Sequence, residues 1–150
     1  MIDTCGVVFH QEVSSIIEHD DGSIELEDGT RKWYVNGRLH RDGDPAVEYP
    51  DGSKEWYLNG KLHRENGPAI ESIDGTNEWW LNGRLHRKDG PAIIYPNGPF
   101  EWYLNGKLHR KDGPAIETSD GIRKWYLNGK KVKPEELPCD YEYLKLKYLI

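Results

Sequence analysis

The apolar residues of this chain are set out on a pitch of 23. Tryptophans fall at 33, 56, 79, 102 and 125, and each is followed by an aromatic residue, an aliphatic one and an Asn-Gly pair. Leu-His-Arg then follows at 39–41, 62–64, 85–87 and 108–110. A strict period without insertions is the signature of a repeat array, in which each unit buries its apolar surface on its neighbours. Asn-Gly between β-prone runs predicts a two-residue hairpin, because a type I′ turn needs positive φ at both central residues.

Such a turn sets the register. Across Asn59-Gly60, Leu58 is expected to face Lys61, Tyr57 to face Leu62, Trp56 to face His63 and Glu55 to face Arg64. Opposed residues share a sheet face, which groups Trp56 with Leu58, Lys61 and His63, and Glu55 with Tyr57, Leu62 and Arg64. Pro68 cannot donate to a ladder, so the strand has to break there. Ala69 to Ile73 resumes as strand and Asp74-Gly75 turns into the next unit.

Full units run over 28–50, 51–73, 74–96 and 97–119, and a fifth starts at Asp120 and loses its signature after Gly129. The pattern predicts an all-β, elongated, single-layer antiparallel meander of five β-hairpin repeats. An N-terminal cap is expected over 1–22, the array over 23–133, and a C-terminal capping helix over 134–150. Val13 to Ile17 fits strand or helix equally. Asp140 is a good N-cap for a helix from Tyr141 to Ile150, with a strand through Leu144-Lys145-Leu146-Lys147 as the competing reading.

Composition narrows this. Only 36% of the residues are hydrophobic and mean hydropathy is -0.84, so a thick aliphatic core is not expected. Six Trp and nine Tyr have to carry the burial, which suits a single layer whose rings cover its faces. The net charge of -6 weakens whole-surface attraction to nucleic acid or anionic membrane. No apolar run is long enough to span a bilayer, and Met1 to Val13 lacks the features of a signal peptide, so a cytoplasmic setting is the default. Cys5 and Cys139 flank an array roughly 45 Å long at ~4.8 Å per strand. A disulfide needs Cα atoms within ~7 Å, which favours two free thiols.

The unit Trp-Tyr-Leu-Asn-Gly-Lys-Leu-His-Arg-x-x-Gly-Pro-Ala resembles the MORN repeats (membrane occupation and recognition nexus), and is closer to their bacterial and viral variant form. The resemblance covers roughly residues 23–130. It implies a non-enzymatic scaffold for proteins, sometimes with phospholipid affinity, and a phage, giant-virus or bacterial setting in which some relatives are labelled antitoxin-like. Gly-Pro-Ala and Leu-His-Arg depart from the usual MORN pattern, which argues against lipid binding.

Little in the chain suggests chemistry. His40, His63, His86 and His109 lie two strands apart, about 9.6 Å, too far to share a metal with bonds of roughly 2.0–2.1 Å. Each His is expected to pack against its opposed Trp, by stacking or by hydrogen bonding within the ladder. No paired carboxylates, nucleophile arrangement or glycine-rich loop before a helix occurs, so neither an enzyme nor a cofactor is expected.

Charge is more informative. Glu55–Arg64, Glu78–Arg87 and Glu101–Arg110 are expected as cross-hairpin pairs, each contributing ~0.2–1 kcal/mol. At the ends, Lys32 would face Arg41 and Lys124 would face Lys133. These like-charge pairs need an anion, either from neighbouring strands or from an acidic partner. Three departures from the repeat mark a unique surface: Trp80 in place of Tyr, Ile94 in place of Glu, and Phe100 after Asn97-Gly98-Pro99. Ile94 and Phe100 are expected to form an apolar spot, or else to pack on Trp80.

These features point to non-catalytic protein binding by a sheet face or edge, with an inhibitor- or antitoxin-like occluding role. A scaffold on anionic lipid is the alternative, and a single-stranded nucleic-acid binder a second one. Open edges of a meander also allow an edge-to-edge homodimer.

Overall fold

The structure, a computed structural model, describes residues 16–138 and 141–148. Cys5, Cys139, His10, most of the expected N-terminal cap and the Asp140 N-cap lie outside these residues.

The chain is nearly all-β and forms one antiparallel meander closed by a short helix. The spine belongs to a thirteen-stranded sheet whose strands follow in chain order, with Arg38–Leu39 branching off Arg31–Val35. Most of its strands are two residues long, such as Lys54–Glu55, paired with Val47–Glu48 on one side and Ile70–Glu71 on the other. From this spine the Asn-Gly hairpins project as a second row. Tyr57 pairs with Leu62 and Leu58 with Lys61, the register expected of a two-residue turn. The five turn Asn residues have φ of 50 to 53° and the glycines after them 71 to 83°, the left-handed pair that a type I′ turn requires.

The other turns use a different device. In Asp51-Gly52 and Asp74-Gly75 the carboxylate accepts the N–H two residues on, from Ser53 and Thr76, both at 2.8 Å. In unit 4 that position is Pro99, which has no N–H to give. Asn97 stands there instead of Asp and takes a φ of 82°.

Neighbouring hairpins are stitched together at their turns. Gly60 donates its backbone N–H to the Leu39 carbonyl at 2.8 Å and Gly83 to that of Leu62 at 2.9 Å. Where hairpin meets spine, the Trp56 N–H donates to the Ala69 carbonyl and the Trp56 carbonyl accepts from His63. Ala46, Ala69, Ala92 and Ala115 form a file of fully buried methyls at this junction, beside Trp33 and Trp56 at 6% and 7% exposure. The core is thus a line of small residues with rings laid over it.

The first hairpin pairs Ile17–Glu18 with Ser23–Glu25. At the other end, Pro134–Glu136 makes one 3-10 turn and Tyr141–Tyr148 is helical, which decides for helix over strand. Leu144 is fully buried, and the Tyr148 carbonyl accepts from Arg123 at 2.9 Å. The helix therefore covers the last hairpin.

Candidate functional site

The two faces of the sheet carry different chemistry. On one face, Glu55 accepts from the Tyr57 hydroxyl at 2.9 Å and the Tyr49 hydroxyl at 3.1 Å. Glu101 does the same with Tyr103 and Tyr95 at 2.9 and 3.3 Å. Trp80 keeps this arrangement in unit 3, its indole N–H donating to Glu78 at 2.7 Å. Its place is structural, and strand alternation puts it on the face opposite Ile94 and Phe100.

Burial, then contact with Glu55, pushes the Tyr49 hydroxyl up to about 12. Burial followed by the hydrogen bond to the neighbouring glutamate raises Tyr57 and Tyr103 as well. A phenol near 10 in the unfolded chain and higher in the folded one keeps its proton longer when folded. That stability is fully present below pH about 10 and is lost as pH rises toward 12. The urea midpoint should therefore fall over this range, and a Tyr57→Phe, Tyr103→Phe variant should fall less steeply. An equal slope in both proteins would show that these hydroxyls do not set the alkaline limit.

The other face carries the tryptophans, and here the expected register fails. Glu55 is not opposite Arg64: it pairs with Val47 and Ile70 in the spine. After His63 the chain leaves the ladder, and Arg64 turns back over its own unit's Trp56, its Cζ 3.7 Å from the ring centroid. Arg41, Arg87 and Arg110 stack on Trp33, Trp79 and Trp102 at 3.9, 3.9 and 4.2 Å. Each also donates through Nη1 to the carbonyl of the proline four residues on. The carboxylate partner comes from a spine strand seven residues later: Glu48 for Arg41 at 3.2 Å and Glu71 for Arg64 at 2.6 Å.

The same displacement removes both like-charge pairs. Lys32 pairs with Ile24 and Val47, while Arg41 sits over Trp33. Lys124 pairs with Ile116. The strand that would bring Lys133 opposite it ends at Val132, and the Lys133 N–H donates to Glu136 at 3.0 Å.

Each repeated histidine hydrogen bonds within the ladder to its opposed Trp, its backbone N–H donating to the Trp carbonyl at 2.9 to 3.1 Å, and its ring makes a further contact. His40, His63, His86 and His109 each accept through Nδ1 the backbone N–H of the next unit's turn Asn, at 3.1 to 3.2 Å. In units 2 and 3 the same Nδ1 also lies 3.1 and 2.8 Å from the side-chain oxygen of that Asn, and in unit 1 Nε2 lies 3.0 Å from Asp42. The repeated His is a clamp between units. Among the described residues no group of three His, Cys, Asp or Glu is placed to hold a metal, and no helix is long and apolar enough to cross a membrane.

Ile94 and Phe100 are brought together. They are direct cross-strand partners, with Asn77 opposite Ile94 on the other side and Glu117 opposite Phe100. They break a row that elsewhere runs Glu48, Lys54, Glu71 along the Trp face. Two grooves of about 400 and 590 Å³ open on this face between the loops of successive units, and both are bounded by Arg87 and Lys88.

The whole-chain charge hides a polarity along the array. Residues 16–83 hold fifteen Asp and Glu against seven Lys and Arg, whereas 84–133 hold eleven Lys and Arg against five Asp and Glu. The loops show the change directly, with Asp42 and Glu65 replaced by Lys88 and Lys111. Counting charge by unit finds this in the sequence; counting it by chain does not.

Neither a scan against family models nor a search of curated proteins finds a match to this chain.

Proposed function

We propose that this protein is a non-catalytic binding module that holds a partner protein on its Trp face. One observation carries the reading: the Ile94–Phe100 step is an apolar contact set into a charged row, beside grooves lined by ring and guanidinium groups. Aromatic and Arg anchors around a small apolar centre are the usual composition of a protein interface core. Repetition also spreads like side chains evenly, which suits holding better than converting. An occluding, inhibitor-like role in a cytoplasm belongs to the same proposal, and the MORN-like pattern of the units supports a scaffold over an enzyme.

The test exploits the repeat. Phe100→Lys installs the residue found at this register in unit 2, Lys54, and should leave the fold intact. Purified wild type and variant are used as bait against a lysate of the source cells. A captured protein is then recombined with the bait from purified components. The reading expects at least one protein that binds wild type directly and is lost with Phe100→Lys at unchanged unfolding midpoint. Identical capture by both baits, or salt-sensitive pelleting with anionic vesicles and no protein partner, overturns it.

A further inference from the structure

Units 1, 2 and 4 supply their stacked arginine with a carboxylate from the same chain. Arg41 has Glu48, Arg64 has Glu71, and Arg110 has Asp112 at 3.0 Å. Unit 3 does not. Its residue at the register of Glu48 and Glu71 is Ile94, and among the described residues no carboxylate lies within ion-pairing distance of Arg87.

Arg87 is nevertheless held in the same pose as its equivalents. It stacks 3.9 Å over Trp79, and its Nη1 donates to the Pro91 carbonyl at 3.1 Å. The guanidinium rests on Gly90, where a Cβ would come within 2.8 Å of Cζ. The same register holds Asp44 in unit 1, where Arg41 keeps its pose over Trp33. Burial holds Arg87 below the ordinary arginine range, against the opposing pull of Asp89. A guanidinium stays charged in spite of this, so Arg87 is a positioned, half-buried cation whose Nη1 is held by Pro91.

Its surroundings say what would satisfy it. In units 1 and 2 the same pose takes a carboxylate oxygen at 3.2 and 2.6 Å. In unit 3 the register that supplies this carboxylate is apolar: Ile94 stands there, with Asn77 on one side and Phe100 of unit 4, near Arg110, on the other. The half of the array that contains it is basic, and around the adjoining groove Lys88, Arg110 and Lys111 outnumber Asp89 and Asp112. A carboxylate whose neighbours are aliphatic matches all three features better than a hydrated phosphate does.

We infer that Arg87 and the Ile94–Phe100 step receive a Glu or Asp side chain of the partner protein, carried on a segment with aliphatic neighbours. The partner's carboxylate completes in trans the pair that Glu48 and Glu71 make in cis. This rests on the protein-binding reading above and specifies the chemistry of that partner.

The experiment uses the full chain and two fluorescein-labelled peptides, Gly-Leu-Glu-Leu-Gly and Gly-Leu-Gln-Leu-Gly, followed by anisotropy and by the Nε–Hε NMR signal of Arg87. The Glu peptide should bind and move that signal, and the Gln peptide should bind about tenfold more weakly, the discrimination expected of a charge-assisted contact. Ile94→Glu places the chain's own carboxylate beside Arg87. It should keep or raise the unfolding midpoint and weaken the Glu peptide about tenfold, whereas Ile94→Gln should keep the preference for Glu. Equal binding of both peptides, binding of neither, or full binding by Ile94→Glu overturns the assignment. So does displacement of the Glu peptide by equimolar inorganic phosphate, which would make the site a phosphate site. Dimerisation abolished by Ile94→Glu would put the acidic half of a second copy in this place and overturn a foreign partner. If capture still depends on Phe100 while the peptides are not discriminated, the protein-binding reading stands and this inference falls.

Discussion

Trp56→Ala is expected to destabilise the protein by about 3–5 kcal/mol, the range for truncating a buried Trp. The ring is 7% exposed and has Arg64 stacked 3.7 Å from its centroid. Removing it opens a space beside the Ala69 file and leaves Arg64 held only by Pro68 and Glu71. Small domains are stable by only about 5–15 kcal/mol, so the loss is a large share of the whole. The array adds a second signature. Each unit is supported by its immediate neighbours, so damage in unit 2 separates unit 1 from the rest. Urea unfolding should show a lower midpoint and a shallower slope, the mark of cooperativity broken into parts. Trp56→Phe separates area from stacking: it keeps a ring under Arg64, and the indole N–H it discards has no hydrogen-bond partner. It should cost well under half as much. A loss below about 1 kcal/mol in Trp56→Ala would mean that the tryptophans cover the core without forming it.

What the sequence made legible, and what it did not, divides at Pro68. Up to His63 the geometry is local. Asn-Gly admits one turn type, the turn sets the pairing of Tyr57 with Leu62, and the 23-residue pitch then builds the sheet. Beyond His63 the outcome depends on where a loop returns. Gly67 and Pro68 bring Ala69 back against Trp56, so that Glu55 meets Ile70, six residues beyond the Arg64 of a continued ladder. That return moves Glu55 away from Arg64 and puts Glu71 beside it, so a pairing rule carried past the break assigns the wrong acid. The Arg-to-Glu spacing of seven residues is visible at 41 and 48 and at 64 and 71, but only the fold says that it is a contact. The His-to-Asn clamp spans 19 residues and two units, outside the range of any hairpin rule. Ile94 stood out as a departure from the start. Its consequence, an arginine without its acid, needed the register.

Ala69→Leu should cost about 1–3 kcal/mol by overpacking, the second large effect after loss of the ring. Ala69 is fully buried, as are Ala46, Ala92 and Ala115 at its register. Its backbone is committed on both sides, the N–H to the Glu78 carbonyl at 2.7 Å and the carbonyl to the Trp56 N–H at 2.8 Å. The strands therefore cannot spread to admit a longer side chain without breaking the junction between hairpin and spine. Polarity is a separate constraint. Ser23 occupies this register in the first hairpin at 1% exposure, but its hydroxyl donates to Asp21 at 2.6 Å and accepts from Arg31 at 2.9 Å. The residue two before Ala69 is Gly67, which offers no such acceptor, so Ala69→Ser buries an unpaired hydroxyl at about 1–3 kcal/mol. Gly67→Asp installs the acid that unit 1 carries at this register, Asp44, beside an arginine in the same pose, so it should recover part of the loss. Urea midpoints for Ala69→Leu, Ala69→Ser and the Gly67→Asp, Ala69→Ser double variant test this ordering. Wild-type stability in Ala69→Leu would mean that the alanine file is not the close-packed axis on which the units are stacked.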